Sequence, residues 1–330
     1  MFEHYIAVDW AQRNMAIARM TNRSSKITSV DVPSDVRELR FYCARLKGTK
    51  ILTFEETTTA QWLYTELRPY VDEVLVCDPY RNRLLSEGPK TDRIDAEKLV
   101  RLLRSNMLKP VFHSGDEFIH LRKLVSGYQD LVKAGVRLKN QRSSLFRAVG
   151  KEKDEMELNS SIERFVLEGI DKAIAAYEEQ KTRYETEFHR AWQKHKMIKN
   201  LESIPGIGEI GAVRTAAIVV NAGRFKSDGN WLSYCGLLKL ERMSGGRSYG
   251  RKDPRYCRAL KGVFKTAALS AVYGKAGNVF KEYYEYLLHT KGLADYNARH
   301  AVARKIATVA FGIMRSGKKF EPGRLHVTSK

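Results

Sequence analysis

The sequence predicts an α/β domain over residues 1–112, a helical coiled-coil arm over 113–196 and a mostly α-helical domain over 197–330. Three observations lead there. Short apolar runs of strand length alternate with helical segments through the first hundred or so residues. Residues 117–195 contain no proline, and their apolar residues recur at spacings of three and four. Beyond them, the run Pro205-Gly206-Ile207-Gly208 separates two further helical patterns.

In the first region, Tyr5-Ile6-Ala7-Val8-Asp9 reads as a buried strand that ends in an acid. Met15 to Met20 and Ile27 to Val32 read as two more strands. Val36 to Leu46 has helical spacing, with Ser34 as the expected cap. Ile51-Leu52-Thr53-Phe54 is a fourth strand, again closed by an acid, Glu55. Ala60 to Leu67 is helical, Val74 to Cys77 is a fifth strand, and Asp92 to Arg104 is a helix. Three strands followed by strand–helix alternation is the order of a ribonuclease H-like fold.

The middle region carries two long stripes. Leu121, Leu124, Val125, Tyr128, Leu131 and Val132 mark one helix. Ile162, Phe165, Ile170, Ile174, Tyr177, Tyr184, Phe188 and Trp192 mark another, with Gly150 and Asn159-Ser160 in the break. A projecting arm and a compact bundle share this periodicity; only the arm predicts self-association, as a dimer or tetramer. The third region opens on a helix, the Pro-Gly-Ile-Gly turn and a helix from Glu209 to Val220, the pattern of a helix–hairpin–helix. Pro205, Gly206 and Gly208 are expected to let backbone N–H groups approach a phosphate, against the plainer reading of a tight helical turn. A basic, glycine-rich stretch from Ser244 to Arg258 follows, then helices around Val263–Tyr273 and Ala301–Met314.

Composition narrows the function. The chain has 330 residues, is 43% hydrophobic and carries a formal charge of +20. The excess is uneven: roughly +3 over residues 1–111, roughly +1 over 112–195 and roughly +16 over 196–330. Such a basic last third points to a polyanion, nucleic acid first. No apolar run is long enough for a membrane span. No signal peptide is read at the N-terminus, and the four cysteines form no CxxC pair, so neither zinc nor disulfides are expected and the protein is read as cytoplasmic.

Four acids carry the chemistry. Asp9 and Glu55 end neighbouring strands, and Asp92 and Asp95 share one helical face at i and i+3. Carboxylates so placed suit Mg²⁺, which takes hard oxygen ligands and can clamp a phosphodiester. Each acid alone has an ordinary alternative: a turn residue, a solvated charge, or a first-turn acid favoured by the helix dipole. Glu56 competes with Glu55.

Val8-Asp9, Phe54-Glu55 and Lys90-Thr91-Asp92-Arg93-Ile94-Asp95-Ala96 resemble the DEDD signature of a transposase family that includes pilin-gene invertases and insertion-sequence recombinases guided by a bridge RNA. Ser203-Ile204-Pro205-Gly206-Ile207-Gly208, Tyr234-Cys235-Gly236-Leu237 and Ser244-Gly245 extend the resemblance over nearly the whole chain. It implies a resolvase-like first domain in which Asp9, Glu55, Asp92 and Asp95 bind Mg²⁺. It implies that Ser244 attacks DNA to form a phosphoserine, and that the partners are donor and target duplex DNA and a structured guide RNA. Arg242, Arg247 and Arg251 are candidates to hold the phosphate, and Ser248 is a rival nucleophile. The chain has Glu56-Thr57-Thr58 where that family usually has Ala-Thr-Gly, and Arg251-Lys252-Asp253-Pro254-Arg255 in place of Thr-Lys-x-Gly-Asn. A hydrolytic junction-resolving nuclease and a non-catalytic nucleic-acid binder are the competing functions.

Overall fold

The computed structural model describes residues 1–80, 91–115, 117–150, 158 and 160–325. Lys90 and Asn159 of the sequence motifs lie outside them. The chain divides into two compact units, Met1–Gly115 and Asp116–Lys330.

In the first unit, β1 (His4–Trp10), β2 (Asn14–Thr21), β3 (Thr28–Pro33), β4 (Lys50–Glu55), β5 (Glu73–Cys77) and β6 (Pro110–Val111) form one sheet in the order β3-β2-β1-β4-β5-β6. β1, β4 and β5 run parallel, while β2, β3 and β6 pair antiparallel with their neighbours. The ribonuclease H-like order expected from the sequence is present, with β6 as an added edge strand. Its Pro110 suits an edge, where no ladder partner is needed on one side.

Strand alternation sorts the sheet residues into two cores. On one face Ile6, Val8, Met15, Ile17, Leu52, Phe54 and Val76 pack with α1 (Val36–Arg45) and α2 (Ala60–Leu67). On the other, Tyr5, Ala7, Ala16, Ala18 and Ile51 pack with Ala96, Leu99, Val100 and Leu103 of α3 (Asp92–Arg104). The alanines on both sides bring α3 close to the strands. One capping expectation is corrected: Asp35, not Ser34, caps α1, accepting from Arg37 N at 2.8 Å. Ser34 is turned away because its hydroxyl donates to the Ala11 carbonyl at 2.8 Å.

The second unit begins with two long helices, α4 (Phe118–Ala148) and α5 (Ser161–Lys194). They run antiparallel, since Lys139 meets Glu178 while Arg142 meets Asp171, both at under 3 Å. Tyr184 and Tyr177 close over Gly127 and Gly135, where any side chain would collide with the rings. Val125, Tyr128, Phe188 and Ala191 join the core of the remaining helices: α6 (Lys196–Glu202), α7 (Glu209–Val219), α8 (Asp228–Tyr234), α9 (Arg258–Tyr273), α10 (Val279–Glu285) and α11 (Asp295–Ser316). Trp231 sits at its centre, stacked on Phe311 and donating its indole N–H to the Ala307 carbonyl at 2.7 Å. Between α8 and α9 lies a feature absent from the sequence reading, a hairpin of β7 (Leu240–Ser244) and β8 (Arg247–Lys252). Among the described residues no helix is long and apolar enough to cross a membrane.

Candidate active site

The sheet register brings the two strand-end acids together. Val8 of β1 pairs with Phe54 of β4 in parallel, so Asp9 and Glu55 are the next positions along adjacent strands. Alternation puts both on the α3 face: Asp9 continues Tyr5 and Ala7, and Glu55 continues Ile51 and Thr53. Adjacent strands lie about 4.8 Å apart, which sets the scale of the gap between the two residues.

α3 supplies the other pair. Thr91 caps it, accepting from Ile94 N at 3.2 Å, so Asp92 and Asp95 occupy its first turn, beside the positive end of the helix dipole. Lys98 approaches Asp95 at 3.9 Å, a loose ion pair that leaves the carboxylate available. The other three acids act on Asp9. Burial first, and then the charges of Asp92, Asp95 and Glu55, push the Asp9 carboxyl up to about 6. An acid destabilised by burial and by three like charges is where a cation gains most.

Among the described residues, no three of the His, Cys, Asp and Glu side chains converge tightly enough to hold a metal ion as they stand. The donor set nevertheless fits a hard divalent cation: all four side chains are carboxylates, and the crowding at Asp9 is what such an ion relieves.

Glu56 is drawn elsewhere. His113, from the segment after β6, places Nε2 2.6 Å from Glu56 Oε2 and Nδ1 2.8 Å from Gln61 Oε1. The choice between Glu55 and Glu56, open in the sequence, thus has a structural distinction: Glu55 faces α3 and acts on Asp9, while Glu56 is held by a buried histidine. Nothing in the sequence singled out His113, whose partners lie more than fifty positions away.

In the second unit, Ser244 pairs with Arg247 across a two-residue turn. Gly245 and Gly246 both have positive φ, +54° and +75°, as the tight hairpin turn with the right twist requires. Every residue of β7 and β8 is exposed. The ladder slips by one residue at Tyr249, with Met243 opposite Ser248 and Arg242 opposite Gly250. Alternation then sorts the candidates: Ser244, Arg242 and Arg247 share one face, and Ser248 and Arg251 lie on the other.

At the Pro205–Gly208 turn, Gly206 has a φ of +91°, and a side chain there would meet the Ala267 carbonyl oxygen of α9 at 2.2 Å. Packing against α9 accounts for this glycine. Gly208 differs: it is exposed, is the N-cap of α7 with no side-chain cap bond, and has open space where a side chain would stand.

Two family models match the chain. One, described as a DEDD transposase model, matches residues 6–150, and the other, the transposase IS116/IS110/IS902 family, matches residues 198–285. The chain is 30% identical, over 128 residues, to the 44.8 kDa protein of insertion element IS116 of Streptomyces clavuligerus, covering 37% of this chain and 30% of that protein. It is 26% identical, over 161 residues, to the 43.6 kDa protein of insertion element IS110 of Streptomyces coelicolor, covering 47% of this chain and 38% of that protein. The matched part therefore spans less than half the length of either relative.

Proposed function

The chain belongs to the IS116/IS110/IS902 family of DEDD transposases, and from that premise we propose that it is a DNA recombinase using the four carboxylates and Ser244. The observation that carries this reading is the strand register that sets Asp9 and Glu55 side by side on the face covered by α3, the helix whose first turn holds Asp92 and Asp95. Asp9, Glu55, Asp92 and Asp95 would hold Mg²⁺, which would supply positive charge at the scissile phosphate.

The chain's own residues do the rest. The Ser244 Oγ attacks phosphorus, its proton leaves, and a serine–phosphate bond forms as a sugar oxygen–phosphorus bond breaks. The leaving sugar oxygen takes up a proton. Arg242 and Arg247, which share a face of the hairpin with Ser244, would hold the phosphate oxygens by charge-assisted hydrogen bonds. Attack by a second strand's hydroxyl reverses the chemistry, so rejoining needs no external energy source. A structured guide RNA would select donor and target by base pairing, leaving the protein to read backbone and shape. The +20 charge supports such a partner.

Denaturing electrophoresis of full-length chain mixed with labelled DNA and Mg²⁺ tests the reading. A protein–DNA adduct that survives denaturation and disappears in Ser244→Ala is expected. Cleavage without an adduct, unchanged in Ser244→Ala, would replace recombination by hydrolysis with water as nucleophile.

A further inference from the structure

Between α9 and α11 lies a cavity of about 150 Å³ lined by Lys265, Leu269, Tyr296, Arg299 and His300. Its volume holds several waters or a phosphate group.

The charge around it is one-sided. Arg299 donates to Asp295, which also accepts from the Tyr284 hydroxyl at 2.6 Å and the Tyr273 hydroxyl at 3.2 Å. Asp295 thus serves three donors and offsets about one cation. Lys265, Arg299 and His300 line the cavity, and Lys261 and Arg304 lie near enough for their charges to act on His300. Burial first, and then the charges of Arg304, Lys261 and Lys265, push the His300 imidazole below its ordinary value. The Arg299 Nε is buried without a hydrogen-bond partner, and His300 Nδ1 finds none beyond its own main chain. A buried polar atom left so is costly and asks for an acceptor. The rim adds an aromatic surface: Tyr296 is 60% exposed, with the Lys265 ammonium 5.7 Å from its ring centre.

We propose that this cavity binds a backbone phosphate of nucleic acid through Lys265, Arg299 and His300, with the adjoining base against Tyr296. The ligand follows from the chemistry. An acceptor-only anion satisfies the unpartnered Arg299 Nε, surplus positive charge selects phosphate, and an exposed ring beside a cationic groove is how single-stranded bases are held. The inference rests on the reading of the chain as a nucleic-acid recombinase and adds a contact on helices α9 and α11, which hold neither the carboxylates nor Ser244.

Fluorescence anisotropy on the full-length chain, with a labelled single-stranded DNA and the matching RNA over a salt series, provides the test. Lys265 is exposed, so Lys265→Glu should fold normally. It should weaken binding about tenfold and lower the salt slope by about 1. Lys265→Arg should restore both. Lys318→Glu, the same charge change just beyond the far end of α11, should cost less than threefold. An oligonucleotide carrying 5-iodouracil should photocross-link to Tyr296, and Tyr296→Leu should lose the link. An effect on DNA alone, on RNA alone or on both supports the site and names its source. Equal losses in Lys265→Glu and Lys318→Glu, or no cross-link at Tyr296, would overturn it. If the Ser244 adduct still forms in that case, the recombinase reading stands without this pocket. If the pocket behaves as expected and no adduct forms, the pocket stands and the recombinase reading falls.

Discussion

Asp9 and Glu55 stand side by side at the C-terminal ends of parallel β1 and β4, one step past the Val8–Phe54 pair, and both face α3. The register fixes this. A one-residue slip of β4 against β1 would turn Glu55 to the α1–α2 face and bring Glu56 toward Asp9. His113 opposes that alternative by holding Glu56 at 2.6 Å.

Removing one carboxylate charge from α3 separates catalysis from binding. Asp95→Asn keeps the size of the side chain and its place in the first turn. Strand cleavage is expected to fall at least a hundredfold, since a hard cation loses a charged ligand, while DNA affinity stays within about twofold. Cleavage gels and anisotropy on the same preparation check both halves. Cleavage at the wild-type rate would remove Asp95 from the chemistry.

The raised acid gives a pH signature. With Asp9 pushed up to about 6, protons compete with the cation below that pH, so Mg²⁺ affinity should rise as pH climbs from about 5 to 7 and then level off. Metal-free stability should move the opposite way. Between the ordinary carboxylate value and about 6 the folded state binds more protons than the unfolded, so stability falls as pH rises through that window. Asp9→Asn should therefore be the more stable metal-free protein at pH 7, by on the order of 1 kcal/mol after allowing for solvent screening. Calorimetric Mg²⁺ titrations and urea melts at several pH values decide this. A variant no more stable than wild type at pH 7 would contradict it.

The start of α5 leaves apolar surface exposed. Ile162 and Phe165, in the first turns of α5, are 73% and 77% exposed, and Val166 beside them is 42% exposed. A second copy of the chain is the expected cover, because strand exchange joins two duplexes. Ile162→Ser with Phe165→Ser should lower the mass seen by light scattering without lowering the melting temperature. A wild-type protein that is monomeric with and without nucleic acid would refute self-association.

Legibility in the sequence followed burial. β1, β2, β4 and β5 and the four acids could be read because short apolar runs mark strands buried in the two cores, and the acids end or follow those runs. The β7–β8 hairpin was not read: Leu240–Ser244 and Arg247–Lys252 are exposed throughout, so no apolar pattern marks them. The Gly245-Gly246 pair was the available signal, a two-residue turn between runs of strand length. The packing reason for Gly206 was not legible either, because Ala267 reaches it only through tertiary contact.

The hairpin makes the last prediction the sharpest. Ser244 and Ser248 are close in sequence and equally hydroxylated, yet they lie on opposite faces, because the two-residue turn pairs Ser244 with Arg247 and the next pair, Met243 with Ser248, faces the other way. Only Ser244 shares a face with Arg242 and Arg247. If the phosphate is held there, Ser244→Ala should bind DNA as wild type does and form no adduct, while Ser248→Ala should keep most of its activity. Arg247→Ala, removing the cross-strand partner of Ser244, should slow adduct formation about a hundredfold, and Arg251→Ala, on the far face, less than about threefold. The turn provides a control on geometry. Gly245 at φ +54° accepts asparagine, which tolerates the left-handed region, but not valine. Gly245→Asn should leave adduct formation largely intact, whereas Gly245→Val should abolish it with little change in melting temperature, the hairpin being exposed. Mass spectrometry of the trapped peptide supplies the direct reading. Phosphate found on Ser248, or adduct formation indifferent to Gly245→Val, would mean that the face shared by Ser244 and Arg247 is not where the strand is cut.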